Sequence, residues 1–456
     1  MPPRFGTSGL RGLVSDLTVA CVTQYVQAFL HSCPVGTGVL VGHDLRPSSP
    51  ELADAVAHAA RSMGNAVTIC GPVSTPALAL AATTRSAGAI MVTGSHIPAD
   101  RNGLKFYSTK GEITKQDEIS ILNALGSDAA TSALGSLIHD DTVQEYYAAR
   151  YHRAFAGALR GQRIGLFQHS AVGRDALVTL LESLGASVTV LGRAAEFVPI
   201  DTEAVSDTLR LQMREWAKAN SFDAIVSTDA DGDRPLFADH NGNVVPGDIM
   251  GQITAARLKA EIVVTPVSSN TSAERSGAFD RVIRTRIGSP HVIAAMAAAG
   301  EKAVGYEANG GFLLGFGAQG PSGDIAPLMT RDAVLPLLAT LSAATGSRVA
   351  DLAAKQMLRF TASDRLQDID LDRAKVFLRS LQADPSELRS FLGPSQSKIV
   401  ETDQTDGLRM TMQNGTIVHL RLSGNAPEMR IYVEAETDVQ ANQLLRKMIL
   451  GMVNYI

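Results

Sequence analysis

Ala224-Ile225-Val226-Ser227 stands one residue before Asp229-Ala230-Asp231-Gly232-Asp233-Arg234. The first stretch is short, apolar and β-branched, which reads as a buried strand. The second sets three carboxylates at alternate positions, with a glycine for the turn and a guanidinium behind them. A strand running into a ligand-bearing loop is the geometry of an open α/β sheet, where ligands gather outside the carboxyl ends of the strands. The same grammar extends upstream through an apolar run at 163–167, helical periodicity over 174–183 and a second run at 186–191. An earlier round occupies 38–42, 51–62, 66–70 and 89–92, and a later one 261–265 and 303–307, followed by a long apolar helix expected over 326–343. From about Ile369 the order changes to a helical stretch, strands at 408–412, 416–422 and 429–434, and a closing helix over 438–452. The expected fold is therefore α/β, with three similar mixed-sheet units at 1–150, 151–254 and 255–368 and a smaller α+β unit at 369–456. The three units share no sequence identity that would prove duplication.

At 456 residues the chain is too long for one compact core. No hydrophobic stretch approaches the length of a membrane span, so a soluble protein is expected. The start, Met1-Pro2-Pro3-Arg4-Phe5-Gly6-Thr7, lacks the charged and apolar pattern of a secretory leader, and nothing is expected to be cleaved. Cys21, Cys33 and Cys70 are an odd set without CxxC or Cys/His spacing, which argues against a disulfide framework and a structural zinc, and fits a reducing cytoplasm. With 41 Lys+Arg against 46 Asp+Glu, a net charge of −5 and 5% aromatic residues, a nucleic-acid surface has no compositional support.

The alternating carboxylates are suited to one hard cation such as Mg²⁺. An EF-hand is excluded: counting from Asp229, the sixth position is Arg234 where glycine is required, and the twelfth is His240 where a bidentate glutamate is required. Thr93-Gly94-Ser95-His96-Ile97-Pro98 follows the apolar run at 89–92 and puts a hydroxyl beside an imidazole. An isolated serine in such a place is ordinarily a cap or turn residue. Here a lysine follows in Asn102-Gly103-Leu104-Lys105, read as a turn-rich segment able to return an acid or base to the same site. An activated hydroxyl and a metal loop together describe metal-assisted phosphoryl transfer. Near the end, Arg421-Leu422-Ser423-Gly424-Asn425-Ala426-Pro427-Glu428-Met429-Arg430 gathers two guanidiniums, a hydroxyl, an amide and backbone N–H groups around a glycine, a phosphate cradle in composition. A surface hairpin with scattered arginines fits the same ten residues.

With Phe5-Gly6-Thr7-Ser8-Gly9-Leu10-Arg11-Gly12 before these motifs and Glu307-Ala308-Asn309-Gly310 between them, the chain resembles the α-D-phosphohexomutase family, in particular its bacterial phosphomannomutase and phosphoglucomutase branch. Five motifs in the family's order span the whole length. The resemblance implies four domains around a central cleft, each contributing one loop. It implies that Ser95 is phosphorylated in the resting enzyme, that Ser95, Asp229, Asp231 and Asp233 bind Mg²⁺, and that Arg234 closes the metal loop. By the same resemblance Arg11, His96 and Lys105 line the catalytic centre, Glu307 and Asn309 read the sugar, and Arg421, Ser423, Gly424, Asn425 and Arg430 hold the phosphate that is not reacting.

The implied activity is a cytoplasmic mutase, a monomer or homodimer, acting on small sugar phosphates through a hexose 1,6-bisphosphate that is intermediate and activator. Mannose is the expected sugar and glucose the second. Phosphoglucosamine mutase is the alternative within the family, and a catalytically silent sugar-phosphate binding protein the alternative outside it. The chain departs from the family pattern at Ile97, where asparagine is usual, at Gly94, where alanine is common, and at Gly311, where some relatives have histidine. Ser289-Pro290-His291 follows Gly288 where some phosphomannomutases place histidine at once, which leaves His291 a secondary candidate.

Overall fold

The computed structural model describes residues 3–127, 133–393, 397–424, 427–453 and 455, and each of its four larger sheets is drawn from one contiguous stretch of chain. The first three repeat one topology. In the first, an eight-stranded sheet, the four strands of the repeat in chain order are Val39–His43, Val67–Pro72, Gly88–Val92 and Arg101–Ser108. In the second they are Arg163–His169, Ser187–Arg193, Ala224–Thr228 and Pro235–Asp239, and in the third Ile262–Pro266, Arg281–Thr285, Ala303–Tyr306 and Phe312–Leu314. In each unit the sheet order is second, first, third, fourth, with the first three parallel and the fourth antiparallel. The central strands are apolar and buried on both faces, as parallel strands covered by helices must be.

One consequence fixes the site. The connection between third and fourth strand is a short loop in every unit, at 93–100, 229–234 and 307–311. These are the serine loop, the acidic loop and the Glu307 loop, so three copies of one device aim three chemistries at one place. The fourth sheet is antiparallel throughout, ordered Phe360–Leu366, Met429–Ala435, Ile417–Leu422, Leu408–Met412, Ile399–Asp403, with the loop 423–428 joining two of its inner strands. No helix among the described residues is long and apolar enough to cross a membrane.

The structure moves several sequence-based boundaries. The helix Val143–Ala154 spans the division expected at 150, and Gly247–Arg257 spans the one expected at 254 while packing on Ala303–Tyr306 and Val334–Ala343 of the third unit. Phe360–Leu366 belongs to the fourth sheet, ahead of the division expected at 368. Its sequence, Phe-Thr-Ala-Ser-Asp-Arg-Leu, has no apolar run to announce a strand. Arg101–Ser108, expected to be turn-rich, is an inner strand of the first sheet. The long helix expected over 326–343 is a strand, Leu328–Asp332, followed by a helix, Val334–Ala343.

The break inside that apolar run is chemical. Asp332 accepts hydrogen bonds from the N–H groups of Val334 and Leu335, satisfying donors that the helix start would leave orphaned. The same carboxylate accepts the Tyr147 hydroxyl at 2.5 Å and the Tyr151 hydroxyl, both from Val143–Ala154. All three side chains are buried. Asp332→Ala strands two buried hydroxyls and uncaps a helix, and is expected to cost about 3 kcal/mol or more. Urea denaturation checks this, with exposed Tyr146→Phe as a neutral control; a wild-type midpoint for Asp332→Ala would show that the cluster does not anchor the third unit.

Candidate active site

Ser95 follows the buried strand Gly88–Val92 and adopts the left-handed region, φ 52°, a conformation that costs energy for a non-glycine residue and persists only when its surroundings hold it. The Thr93 hydroxyl accepts the Ser95 N–H at 2.8 Å and donates to Asp44 at 2.7 Å. Arg46 supplies the rest. Its guanidinium donates to the carbonyls of Ser95 (2.8 Å), Ile97 (2.6 Å), Pro98 (2.7 Å) and Arg101 (2.9 Å), is paired with Asp44 at 3.2 Å, and lies 4.1 Å from the centre of the Phe197 ring. A Cβ at Gly94 would stand 2.5 Å from that guanidinium carbon, which is why glycine occupies the position.

The loop delivers the Ser95 hydroxyl to the acidic turn, where Oγ donates to Asp229 Oδ2 at 2.6 Å. The turn itself closes through the Asp229 N–H to the Arg234 carbonyl, with Gly232 at φ +72°. Asp229, Asp231 and Asp233 are fully buried, and one oxygen from each lies within 4.8 Å of the others. Lys105 Nζ donates to Asp231 Oδ2 at 2.6 Å and Asp233 Oδ2 at 2.5 Å, and the Thr75 hydroxyl donates to Asp231 Oδ2 at 2.5 Å. Burial alone would raise the Asp231 carboxyl, but Lys105 outweighs it and holds it low. Asp229 is pushed well above the usual carboxylate range, first by burial and then by Asp231 and Asp233. Three carboxylates this close disfavour one another's ionisation. Asp231 Oδ1 and Asp233 Oδ1 are buried without a hydrogen-bond partner, Arg234 Nε standing 3.6 Å from the latter. Orphaned hard oxygens in a crowded carboxylate cluster fit a divalent cation such as Mg²⁺.

A basic shell faces this cluster. Arg234 Nη1 donates to His96 Nδ1 at 2.9 Å, which places the neutral imidazole's proton on Nε2, and Ser95 Oγ is 3.4 Å from the same Nδ1. Burial and the Arg234 charge hold His96 well below its ordinary value. Arg11 donates to the Thr93 carbonyl, and burial lowers its guanidinium to about 10. Ser95, His96, Lys105, Arg11, Arg234 and the three aspartates thus meet at one place.

The Glu307 loop and the strands carrying Arg421 and Arg430 come from the third and fourth units. Glu307 Oε1 accepts the Gly288 N–H at 3.1 Å and Oε2 accepts Asn309 Nδ2 at 3.1 Å. Asn309 Oδ1 takes the Gly311 N–H at 3.0 Å, and its carbonyl takes the Thr202 hydroxyl at 2.7 Å. Asn309 therefore shapes its own loop in this arrangement. Arg421 and Arg430 are cross-strand partners; Arg421 pairs with Asp406 at 3.4 Å and Arg430 with Glu428 at 3.5 Å and Glu203 at 3.9 Å. Ser423 N–H bonds the Glu428 carbonyl at 2.8 Å, and Gly424 lies against Thr7. Asn425 lies outside the described residues. His291 is half-buried at the start of helix Ser289–Ala299, and burial and nearby cations lower its pKa.

Sequence reasoning missed five charged contributors. Arg46 lies in His43-Asp44-Leu45-Arg46, just past the end of a parallel strand, and that position was its signal. Arg331, which bonds Asp233, was hidden in an apolar run whose adjacent charges, Arg331-Asp332, were the clue. Arg365 extends the arginine row, paired across strands with Arg430 and reaching Asp201 at 3.3 Å. Asp201 and Glu203, on the connection before helix Asp207–Ala219, gave no local signal.

Family models match residues 2–132 as phosphoglucomutase/phosphomannomutase alpha/beta/alpha domain I, 246–360 as domain III and 370–450 as the C-terminal domain. The chain is 41% identical to a phosphomannomutase of Sinorhizobium fredii, covering 98% of each sequence, and 42% identical to a phosphomannomutase of Salmonella muenchen, covering 96% of this chain and 93% of that one. A putative phosphomannomutase from Thermus thermophilus has the same fold, with a TM-score of 0.77 and 23% identity over 100% of this chain and 99% of that one. So does an N-acetylphosphoglucosamine mutase of Aspergillus fumigatus solved with GlcNAc-6P and magnesium, with a TM-score of 0.60 and 14% identity over 100% and 96%.

Arg46→Lys keeps the charge and loses the planar fork that reaches four carbonyls. Turnover is expected to fall by about a hundredfold, the scale of a reacting group displaced by about 1 Å, with the melting temperature little changed. Steady-state kinetics beside thermal melting checks this; wild-type turnover in the variant would show that the serine loop holds itself.

Proposed function

The chain belongs to the phosphoglucomutase/phosphomannomutase family, and from that premise we propose that it interconverts mannose 6-phosphate and mannose 1-phosphate, with the glucose phosphates as second pair. The carrying observation is the 2.6 Å contact that seats the Ser95 hydroxyl on Asp229 inside the buried acidic triad. A serine so placed is suited to carry a phosphoryl group, and the proposal runs through a phosphoserine and a hexose 1,6-bisphosphate.

In the first half-reaction the bond between phosphorus and Ser95 Oγ breaks, and a bond forms to the free hydroxyl of the bound sugar phosphate. The hydroxyl proton ends on Ser95 Oγ. Lys105, held beside the triad by Asp231 and Asp233, is the group we assign to this transfer: its ammonium gives a proton to Ser95 Oγ as that oxygen leaves phosphorus, and the amine so formed takes the proton of the attacking hydroxyl, whereas His96 Nδ1 is already occupied by Arg234. The sugar then turns, and the reverse transfer returns the other phosphate to Ser95. Asp229, Asp231 and Asp233 would hold Mg²⁺, which when bound supplies Lewis-acid stabilisation of charge on the transferring oxygens. Arg11 and Arg234 present fixed positive charge to the same oxygens. Glu307 and Asn309 are assigned to the sugar hydroxyls, and Arg421, Ser423, Gly424, Asn425 and Arg430 to the distal phosphate.

Ser95 is 1% exposed here, and we propose that the fourth domain swings to let substrate enter and the bisphosphate turn. We take each of the four sheets as the centre of one domain, the last acting as a clamp. Arg430, 3.5 Å from Glu428 and 3.9 Å from Glu203 with its buried Nε lacking a hydrogen-bond partner, would exchange those carboxylates for phosphate on closure.

Five outcomes test this. Mutase assays on mannose, glucose and glucosamine 1-phosphates are expected to favour mannose, with glucose second; a glucosamine preference would make the chain a phosphoglucosamine mutase. Ser95→Ala is expected to remove turnover while leaving the fold intact, and Asp231→Asn to raise the Mg²⁺ requirement and depress the rate at least a hundredfold, an order-of-magnitude expectation. Activity that persists in excess chelator would make the acidic loop structural. Arg430→Ala is expected to weaken binding of 1- and 6-phosphates alike and to release trapped hexose bisphosphate during turnover; wild-type affinity without leakage would remove this loop from phosphate binding.

A further inference from the structure

Arg331 lies on the strand Leu328–Asp332 and is 3% exposed. Its Nε and Nη2 reach Asp233 Oδ2 at 3.1 and 2.8 Å, its Nη1 reaches Glu307 Oε2 at 3.2 Å, and Nη2 is 3.5 Å from the Ser8 hydroxyl. One planar group therefore spans the acidic loop of the second unit and the Glu307 loop of the third, and touches the N-terminal loop of the first. Three features hold it there. Asp332, the next residue, is locked by Tyr147 and Tyr151, which fixes the strand that carries Arg331. Gly311 leaves room for the arginine stem, since a Cβ there would lie 2.7 Å from Arg331 Cδ. Asp233 accepts both Lys105 and Arg331 on Oδ2, while Oδ1 makes no hydrogen bond and has only Arg234 Nε at 3.6 Å.

A guanidinium shared by two carboxylates transmits position between them. Whatever draws Asp233 toward a cation changes the donor presented to Glu307, and whatever engages Glu307 changes the donor presented to Asp233. We propose that Arg331 is a positioning residue that couples divalent-cation binding at the acidic triad to sugar-phosphate binding at the Glu307 loop. The inference rests on the mutase reading and adds to it a linkage between two sites. By thermodynamic reciprocity each ligand must then raise affinity for the other by the same factor.

The test uses Mn²⁺ as the probe, its free concentration read by electron paramagnetic resonance, with full-length protein and with or without mannose 1-phosphate. For the wild type, the sugar phosphate is expected to tighten Mn²⁺ binding by about tenfold, within the usual range of coupling between sites. Arg331→Lys, which keeps the charge but cannot fork between two carboxylates, is expected to bind Mn²⁺ and the sugar phosphate separately with the coupling reduced to about twofold or less. Arg331→Gln is expected to lose the coupling as well, and thermal melting of both variants reports folding. Wild-type protein whose Mn²⁺ affinity ignores the sugar phosphate overturns the proposal without any variant. So does an Arg331→Lys protein that melts like wild type and keeps the tenfold coupling. Turnover of mannose 1-phosphate by the same wild-type preparation separates the two readings: turnover without coupling removes this inference alone, and absent turnover removes the mutase reading beneath it.

Discussion

Three carboxylates with no solvent exposure are the constraint on which the arrangement depends. Asp229, Asp231 and Asp233 sit on a six-residue turn that cannot spread them apart, and an unpaired buried charge costs several kcal/mol, as an order of magnitude. Their counter-charges do not come from their own unit alone. Lys105 arrives from the first sheet and Arg331 from the third, so the cluster is tolerable only when three sheets are docked around it. The catalytic centre and the packing of the domains are thus one electrostatic problem. The cationic partners still leave oxygens of Asp231 and Asp233 without donors, which is the place for a metal.

Repetition of topology explains how the groups reach one another. A sheet of three parallel strands with an antiparallel fourth places its third-to-fourth connection at the carboxyl edge, and three such sheets face those edges inward. Ser95, the aspartates and Glu307 occupy equivalent positions in their respective units although the sequences share no visible identity. The connection before helix Asp207–Ala219 ties the assembly together, with Phe197 on Arg46, Thr202 on the Asn309 carbonyl, and Asp201 and Glu203 near Arg365 and Arg430.

Much of this was legible in the chain because local pattern and chemistry coincide. The runs at 39–43, 163–169, 224–228 and 262–266 are apolar because they are buried on both faces, and the acidic and serine loops carry residue types that few structural roles explain. Legibility failed where partners are distant. Arg101–Ser108 reads as a turn from Asn102-Gly103, yet the sheet needs a strand there to carry Lys105 to the aspartates. Arg331 and Asp332 looked like stray charges in a helix, because nothing nearby in sequence predicts Asp233, Glu307, Tyr147 or Tyr151 as partners. Asn309 also hydrogen-bonds to Glu307 and to the Gly311 N–H, contacts set by backbone geometry that residue type does not encode.

The central claim is that Ser95 gives its phosphoryl group to one position of the bound sugar and takes back the phosphate from the other. Its most direct measurement is peptide mass spectrometry of the tryptic fragment ending at Arg101, after incubation with a hexose 1,6-bisphosphate bearing labelled phosphate and again after a chase with unlabelled mannose 1-phosphate. The account predicts one labelled phosphate on Ser95 that leaves during the chase and appears in sugar phosphate. Turnover that proceeds while Ser95 stays unlabelled, or while its label remains in place, would contradict it.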